Sequence, residues 1–175
     1  LFENVSGTVQ LNNRTLDFSS IQFKTSGAQI NGSLKLEERS PEFFQTSMRF
    51  TGNNIDLSRL LKDWNNFDQN IIKSENITGN AQVNLQLNAP FDMRTGINHK
   101  NIHSTIQLRL IDGRLKGVEV FDEITKNLKT PATNLAIGKL NVDDIGNRLK
   151  DIQFKTIENT IEIANGIIRI PNMVI

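Results

Sequence analysis

Apolar and polar residues alternate along most of this chain, and the alternation is clearest over residues 76–89. There, every second position from Ile77 to Ala89 is apolar or small, and the positions between them are Thr, Asn or Gln. A period of two is typical of a β-strand with one face buried and the other in water. At about 3.3 Å per residue this strand would be roughly 45 Å long, well beyond the usual length of about 5–6 residues.

The same alternation predicts further strands on both sides of this one. They cover residues 5–11, 16–25, 28–37, 44–50, 102–110, 149–156, 160–164 and 167–171. Asn165-Gly166 separates the last two and predicts a tight hairpin, because Asn and Gly accept a positive φ at low cost. In residues 28–37 the alternation continues through Asn31-Gly32, so this glycine is predicted to lie inside a strand.

Two other short sequences are predicted to interrupt strands. Pro90 follows the longest alternating stretch and is expected to end it, since proline cannot donate to a ladder of hydrogen bonds. Asp112-Gly113 follows residues 102–110 and predicts a turn, because Gly tolerates a positive φ and Asp bonds its own backbone. Residues 102–128 are thus predicted to form a strand, a turn and a short apolar helix. We expect the other strands to repeat the division of this strand into an apolar and a polar face.

Two stretches have a helical period instead, with apolar residues spaced as on one face of an amphipathic helix. The first stripe is Leu57, Leu60, Leu61 and Trp64, and the second is Phe121, Ile124 and Leu128. We expect both helices to cover the apolar face of the sheet. Residues 132–148 fit either a strand or a loop, and their apolar positions are Leu135, Ile137, Leu140, Val142 and Ile145.

These elements predict a single domain over residues 1–175 that is mainly β with two short helices (α+β). Long strands with one apolar face bury that face only if the sheet closes or is covered. A long, strongly curved antiparallel sheet, folded like a taco and capped by the amphipathic helices, fits this pattern. Its concave side is predicted to be lined by Val83, Leu85, Leu87, Ile106, Leu108, Leu110, Ile152 and Phe154.

Two interpretations of that lining stay open. A hydrophobic groove could hold acyl chains, since each buried CH₂ contributes about 0.8 kcal/mol and needs no specific polar contact. Alternatively, the same residues pack as an ordinary core, with the helices filling the interior. The pattern of residues does not separate these two arrangements.

Composition excludes several classes of protein. The formal net charge is +1, so there is no bulk electrostatic attraction to nucleic acid or to an anionic membrane. The absence of Cys excludes disulfides, thiolate zinc sites and cysteine nucleophiles. No apolar run approaches the roughly 20 residues that span a bilayer. The chain begins with Leu1 rather than Met, and we expect it to be a fragment of a longer, membrane-anchored protein.

Patterns for catalysis or metal binding do not stand out either. His99 and His103 are four residues apart and could chelate a metal, although surface positions suit them better. Asp143-Asp144 lacks the spacing and the closing Glu of an EF-hand, and we interpret it as a solvated turn. None of the common nucleophile, phosphate-loop or dinucleotide motifs occurs. We therefore expect a protein that is not an enzyme, with no cofactor and no metal.

One five-residue sequence occurs twice. Residues 21–25 and residues 152–156 both read Ile-Gln-Phe-Lys-Thr, and each copy is followed by another alternating stretch. Either β-prone residues have converged by chance, or a hairpin unit is repeated along the sheet.

Several motifs, taken in order, resemble the C-terminal region of the AsmA family. They are Ile55-Asp56-Leu57-Ser58-x-Leu60-Leu61, Ile77-Thr78-Gly79-x-Ala81, Leu108-x-Leu110-x-Asp112-Gly113-x-Leu115-x-Gly117 before a short helix, and Ile161-x-Ile163-x-Asn165-Gly166. Their order and spacing match over residues 43–175. AsmA-like proteins are envelope proteins of bacteria with two membranes, and they are related to TamB-like and eukaryotic bridge-like lipid carriers.

The resemblance implies a periplasmic module anchored to the inner membrane by a segment outside this sequence. It implies a hydrophobic groove that binds or conducts phospholipid between the inner and outer membranes and supports outer-membrane assembly. The implied partners are phospholipid or another acyl lipid, and outer-membrane or envelope-assembly proteins, with no nucleic acid. The alternative is a structural module with a filled core that docks neighbouring envelope proteins through exposed strand edges.

Overall fold

The structure is a computed structural model that describes residues 2–130 and 141–170. In these residues ten strands form one antiparallel sheet. The strands are β1 (Glu3–Ser6), β2 (Val9–Asn12), β3 (Thr15–Thr25), β4 (Ala28–Ser40), β5 (Phe43–Asp56), β6 (Ile77–Asp92), β7 (Gly96–Ile97), β8 (His103–Lys116), β9 (Asp151–Ala164) and β10 (Ile167–Arg169). The described helices are α1 (Leu57–Asp63), α2 (Glu119–Leu128) and α3 (Val142–Leu149), with 3₁₀ turns at Asn65–Asp68 and His99–Asn101.

Six of the strands are long and form the body of the sheet. β3, β4, β5, β6, β8 and β9 have 11 to 16 residues each and lie side by side in chain order. β1 and β2 pair with β3 towards one edge, β7 pairs with the end of β6, and β10 pairs with β9 at the other edge. The predicted fold class is confirmed: the protein is mainly β, with short helices on a long, curved and open antiparallel sheet.

Two of the three described helices, α1 and α3, begin at capping side chains. The Asp56 carboxylate accepts a hydrogen bond from the backbone N–H of Arg59 at 2.8 Å and starts α1. The side chain of Asn141 accepts from the backbone N–H of Asp144 at 3.1 Å and starts α3. Both are the favoured N-cap arrangement, which satisfies a backbone donor that has no partner within the helix.

The third helix corrects two predictions. Val142 and Ile145 lie in α3, so they belong neither to a strand nor to a loop. Asp143 and Asp144 form its first turn, where acidic side chains stabilise the positive end of the helix dipole, so the interpretation as a solvated turn is wrong. Three other apolar positions of that stretch, Leu135, Ile137 and Leu140, lie outside the described residues.

The predicted turn at Asp112-Gly113 is also wrong, because β8 continues through both residues. Thr78 lies opposite Arg114, while Asn80 lies opposite Ile111, so β8 has one more residue than β6 between these pairs. Asp112 takes up the extra length with φ 49°. This is a β-bulge, and it shifts the alternation of inward and outward side chains by one residue.

Other interruptions of the strands also differ from a simple turn. β6 does not end at Pro90 but continues to Asp92. The pairing of β6 with β8 ends at Asn88, and its pairing with β7 begins at Phe91. Pro90 therefore falls between two ladders, where a missing N–H removes no hydrogen bond on that side.

The remaining glycine predictions are confirmed. Gly32 lies inside β4, opposite Phe50 of β5 and Ile21 of β3. Asn165 and Gly166 form the turn between β9 and β10, with φ of 55° and 71°. Positive φ at both positions is typical of the hairpin turn that matches the twist of two antiparallel strands.

The two ends of the sheet carry different connections. The segments with helices, residues 57–76 between β5 and β6 and residues 117–150 between β8 and β9, leave the sheet at the same end, which we call the helical end. The described connections at the opposite end, which we call the turn end, consist of turns, β7 and a 3₁₀ turn.

The repeated five-residue sequence lies in β3 and in β9, with four strands between them in the sheet. The strand that follows β3 has 13 residues, whereas β10 has three. The two hairpins are therefore unequal, which does not favour a repeated unit.

Candidate functional site

One face of the sheet, which we call the apolar face, is continuous across all six long strands. Directly opposite residues of antiparallel strands point to the same side, so cross-strand pairs form rows perpendicular to the strands. The three central rows are Phe18–Leu34–Met48–Leu87–Ser104–Ile163, Ile21–Gly32–Phe50–Leu85–Ile106–Ile161 and Phe23–Ile30–Gly52–Val83–Leu108–Asn159. These rows contain no charged residue.

Six of the eight residues predicted to line the groove lie together on this face. They are Val83, Leu85 and Leu87 on β6 and Ile106, Leu108 and Leu110 on β8. The other two, Ile152 and Phe154 on β9, lie beyond the bulge, opposite Leu115 and Gly113 of β8. The role of these residues as a lining stays a prediction.

Most large side chains on the apolar face are only partly buried, while Ile30, Ile55 and Ile77 are buried in the cluster that includes Leu57. All eight predicted lining residues have intermediate exposure. Among the described residues, the buried groups with 1 % exposure are Ser26, Ala81 and Ala89, which are all small. A packed core buries its large apolar side chains almost completely. The apolar face thus remains accessible over part of its area.

Helix α1 covers the helical end of this face. Leu57 is buried there, and Leu60 and Leu61 pack against the same cluster. That cluster consists of Ala28, Ile30, Ile55, Leu57, Ile77 and Ala81. Leu85 and Ile106, which lie nearer the turn end, are outside the cluster. The predicted cover is therefore present at one end only.

The other residues predicted to cover the sheet lie elsewhere. Trp64 is the residue after the last turn of α1, and its side chain is 45 % exposed. In α2, Phe121 and Leu128 are partly buried and Ile124 is exposed. α2 packs chiefly against α3, which contacts β9. α2 thus lies on another helix more than on the sheet.

The central row of the opposite face, the polar face, consists of uncharged amides and hydroxyls. This row is Gln22–Asn31–Thr51–Asn84–Gln107–Thr160. The Asn84 amide donates to Gln107 at 3.2 Å, and the neighbouring Arg109 guanidinium meets Glu158 at 3.0 Å. Asn84, Gln107, Arg109 and Glu158 line a depression of about 780 Å³, and Val83, Leu108 and Asn159 of the third apolar row also contribute to its lining.

Charged pairs lie away from the central apolar rows. At the helical end, Arg114 Nε is 2.6 Å from Asp151 Oδ1, and this hydrogen bond lowers the pKa of the Asp151 carboxyl below its ordinary value. At the turn end, backbone N–H groups of Arg94 and Thr95 donate to Asp92 and lower the pKa of its carboxyl. These groups fix the boundaries of strands rather than presenting a reactive cluster.

The two histidines were considered above as possible metal ligands. His103 is exposed at the start of β8, opposite Asn88 of β6, and His99 belongs to the 3₁₀ turn before it. In residues 2–130 and 141–170 no three His, Asp or Glu side chains come together in a way that could hold a metal ion. No helix in the same residues is long and apolar enough to cross a bilayer.

Comparisons with known proteins give no match. No family model matches the chain, and neither a curated protein nor a solved structure matches it. The resemblance to the AsmA family therefore rests on the sequence motifs alone, and the description of the fold rests on this structure.

Two features of the surface were missed by the sequence patterns. Leu115 packs against the same buried cluster as Leu110, although the two residues are five positions apart in the chain. An odd spacing within one strand is the signal of a one-residue bulge, and Asp112-Gly113 marks its place. The second feature is an exposed aromatic group around Trp64, which depends on contacts distant in sequence and has no periodic signal.

Proposed function

We propose that this domain binds or conducts phospholipid along the apolar face of its sheet, as the resemblance to AsmA-like proteins implies. In that proposal it is a periplasmic module, anchored to the inner membrane by a segment outside this sequence, that supports outer-membrane assembly. The acyl chains lie on the apolar face, and the polar face remains in water.

The observation that carries the proposal is the partial burial of a continuous apolar surface. Three rows without a charged residue cross six strands, a width of about 24 Å at about 4.8 Å between strands. Of the eighteen residues in these rows, Ile30, Gly52 and Ser104 are buried, and the other fifteen have intermediate exposure. A filled core would have buried the rows, whereas an acyl chain gains about 0.8 kcal/mol for each CH₂ that it buries there.

The test is native mass spectrometry of the purified chain, followed by extraction and identification of lipid. We expect bound phospholipid on the wild type. The double variant Leu87→Asp/Ile106→Asp should lose it, since two carboxylates on the apolar face would have to be desolvated beside the acyl chains. Both positions lie outside the cluster under α1, so the fold should persist, which circular dichroism checks.

The matched control is Gln86→Asp/Gln107→Asp, which places the same charges on the adjacent, exposed positions of the polar face. This variant should retain lipid at the wild-type level. A folded wild type without lipid, or equal loss of lipid from both double variants, would reject the proposal.

One observation favours the alternative function as a docking module. β10 pairs only with Glu162–Ala164 of β9, and no other described strand pairs with the outer edge of β9. An unpaired edge can add a strand from a partner. Two results together would support this function instead. The amides of β9 would exchange hydrogen fast in the isolated domain and slowly when an envelope protein is bound, and the apolar face would carry no lipid.

A further inference from the structure

We propose that a group of exposed aromatic and aliphatic side chains at the helical end is a contact site for the surface of a phospholipid bilayer. We call this group the aromatic tip, and it consists of Phe2, Trp64, Phe67 and Ile71. Their exposed fractions are 57 %, 45 %, 55 % and 60 %. The inference rests on the proposed function, and it adds the place at which the domain meets the membrane that supplies its lipid.

The aromatic tip is continuous with the apolar face. The rings of Trp64 and Phe67 stack at 6.1 Å, and the edge of Phe2 meets Trp64 at 5.9 Å. Phe2 also meets Phe23 at 5.0 Å, and Phe23 meets Phe50 at 5.9 Å. Phe23 and Phe50 belong to the central apolar rows. An acyl chain that leaves a bilayer at the aromatic tip therefore remains in contact with apolar rings until it reaches the sheet.

In the loop that carries Trp64, Phe67 and Ile71, side chains form hydrogen bonds with backbone groups of the same loop. The side-chain oxygen of Gln69 accepts from the N–H groups of Ile71 and Ile72 at 2.8 and 3.0 Å, and its amide donates to the Ile72 carbonyl at 2.5 Å. The side chain of Asn66 accepts from the N–H of Ser74 at 3.0 Å. A segment that enters a bilayer must satisfy its backbone internally, because lipid offers no hydrogen bonds. These bonds suit a lipid partner, whereas a protein partner would supply its own.

A left-handed turn presents Phe67 to solvent. Asn65, Asn66, Phe67 and Asp68 have consecutive φ of 49°, 53°, 54° and 55°. Asn and Asp tolerate this region, but a bulky Phe rarely adopts it. The Asn65 amide donates to Asp68 at 2.9 Å and closes the turn. Phe67 thus adopts a left-handed backbone conformation that is unfavourable for a bulky residue, and in this conformation its ring is exposed.

The charge of the loop indicates what kind of lipid surface it fits. Residues 62–75 contain two lysines and three acidic residues, so the loop has no excess of basic residues to attract anionic headgroups. Tryptophan favours the boundary between headgroups and acyl chains, and exposed phenylalanine is found with it on segments that lie at this boundary. The site should therefore bind zwitterionic bilayers.

The test uses vesicles of phosphatidylcholine and the intrinsic fluorescence of Trp64, which is the one tryptophan of the chain. Vesicles should shift its emission to shorter wavelength, and lipids brominated near the headgroup end of the acyl chain should quench it. In co-sedimentation, Phe67→Asp/Ile71→Asp should weaken vesicle binding by at least about tenfold, because two exposed apolar side chains lose their favourable transfer.

The matched control is Met93→Asp/Ile97→Asp, which changes two exposed apolar residues at the turn end and adds the same charge. It should bind vesicles as the wild type does. The inference is overturned if wild-type Trp64 emission does not respond to vesicles, or if both double variants bind vesicles equally.

A second measurement separates this inference from the proposed function. Monomeric short-chain phosphatidylcholine, used below its micelle concentration, reaches the apolar face without a bilayer, and its binding is measured by native mass spectrometry. The aromatic-tip variant should bind this lipid as the wild type does. Monomer binding without tip-dependent vesicle binding rejects only the inference, while failure of the wild type to bind monomer rejects the proposed function.

Discussion

At the scale of single residues, two glycines allow aromatic rings to lie flat across the sheet. A Cβ atom on Gly113 would come within 2.0 Å of the ring of Phe154, and one on Gly32 within 2.2 Å of the ring of Phe50. Each glycine lies directly opposite its ring in the neighbouring strand. Only glycine leaves this space, which explains its place inside strands that otherwise disfavour it.

Gly113→Ala is expected to destabilise the domain by about 1–3 kcal/mol, because the added methyl group displaces a ring from a packed position. Urea unfolding measures the change. In a Phe154→Ala background the same substitution should cost clearly less, since the clashing ring is gone and the two sites are coupled. A cost that is the same in both backgrounds would show that the ring does not lie over the glycine.

At the scale of elements, alternation located five of the six long strands and their shared face. The sixth, β9, was predicted as two strands, residues 149–156 and 160–164, and is one strand in the structure. The pairs Val83–Leu108 and Leu85–Ile106 needed no further information, because a period of two fixes which residues face together once strands are adjacent. Asn165-Gly166 was equally informative, since neither residue resists a positive φ.

The sequence did not separate a turn from a bulge at Asp112-Gly113. Both structures need a residue with positive φ, and whether the chain then reverses is decided by its neighbours. Here β9 pairs with β8 on both sides of Asp112, and this pairing is a contact distant in sequence. α3 has apolar residues at the same helical spacing as α2, namely Val142, Ile145 and Leu149, so a periodic signal was present and was missed.

The contacts within the aromatic tip could not be predicted from the sequence. It joins Phe2 to Trp64 and Phe67, which are separated in the chain by five of the ten described strands. The left-handed turn that exposes Phe67 contradicts local backbone preference. Neither periodicity nor turn composition reports contacts of this kind.

An ion pair between β8 and β9 gives an element-scale prediction about pH. Arg114 holds the pKa of the Asp151 carboxyl below its ordinary value, first through the hydrogen bond that it donates. A carboxyl whose pKa is lower in the folded state adds stability above its unfolded pKa and loses this stability as the pH falls through the folded pKa. The pair should therefore stabilise the domain at neutral pH and cease to do so as the pH falls below about 4.

Urea midpoints of the wild type and of Asp151→Asn, measured from neutral to acid pH, check this prediction. The wild type should be the more stable of the two at neutral pH, and the difference should shrink as the carboxyl is protonated. A difference that does not change with pH would mean that the ion pair is not formed in solution.

At the scale of the whole molecule, the described residues form an amphipathic sheet with a helix over one end of its apolar face. The central apolar rows lack charge, and the polar face carries a row of amides and hydroxyls. Because most large side chains stay partly exposed, part of the usual stabilisation from burial is left for a ligand to supply.

Lipid should therefore raise the stability of the domain. Monomeric short-chain phosphatidylcholine at a hundredfold excess over its Kd should add about 2.7 kcal/mol, if it binds the folded state only. Thermal melts with and without the lipid measure the shift, and Leu87→Asp/Ile106→Asp should show none. An equal shift in that variant would place the lipid away from the apolar face.

Because α1, α2 and α3 all lie at the helical end, the two ends of the sheet differ in what covers the apolar face. Over the turn end, a molecule on the apolar face can slide off without displacing a helix. At the helical end it must pass beside α1, along the rings of Phe23 and Phe2. If a lipid binds the apolar face as proposed, it should therefore leave more readily over the turn end than past α1.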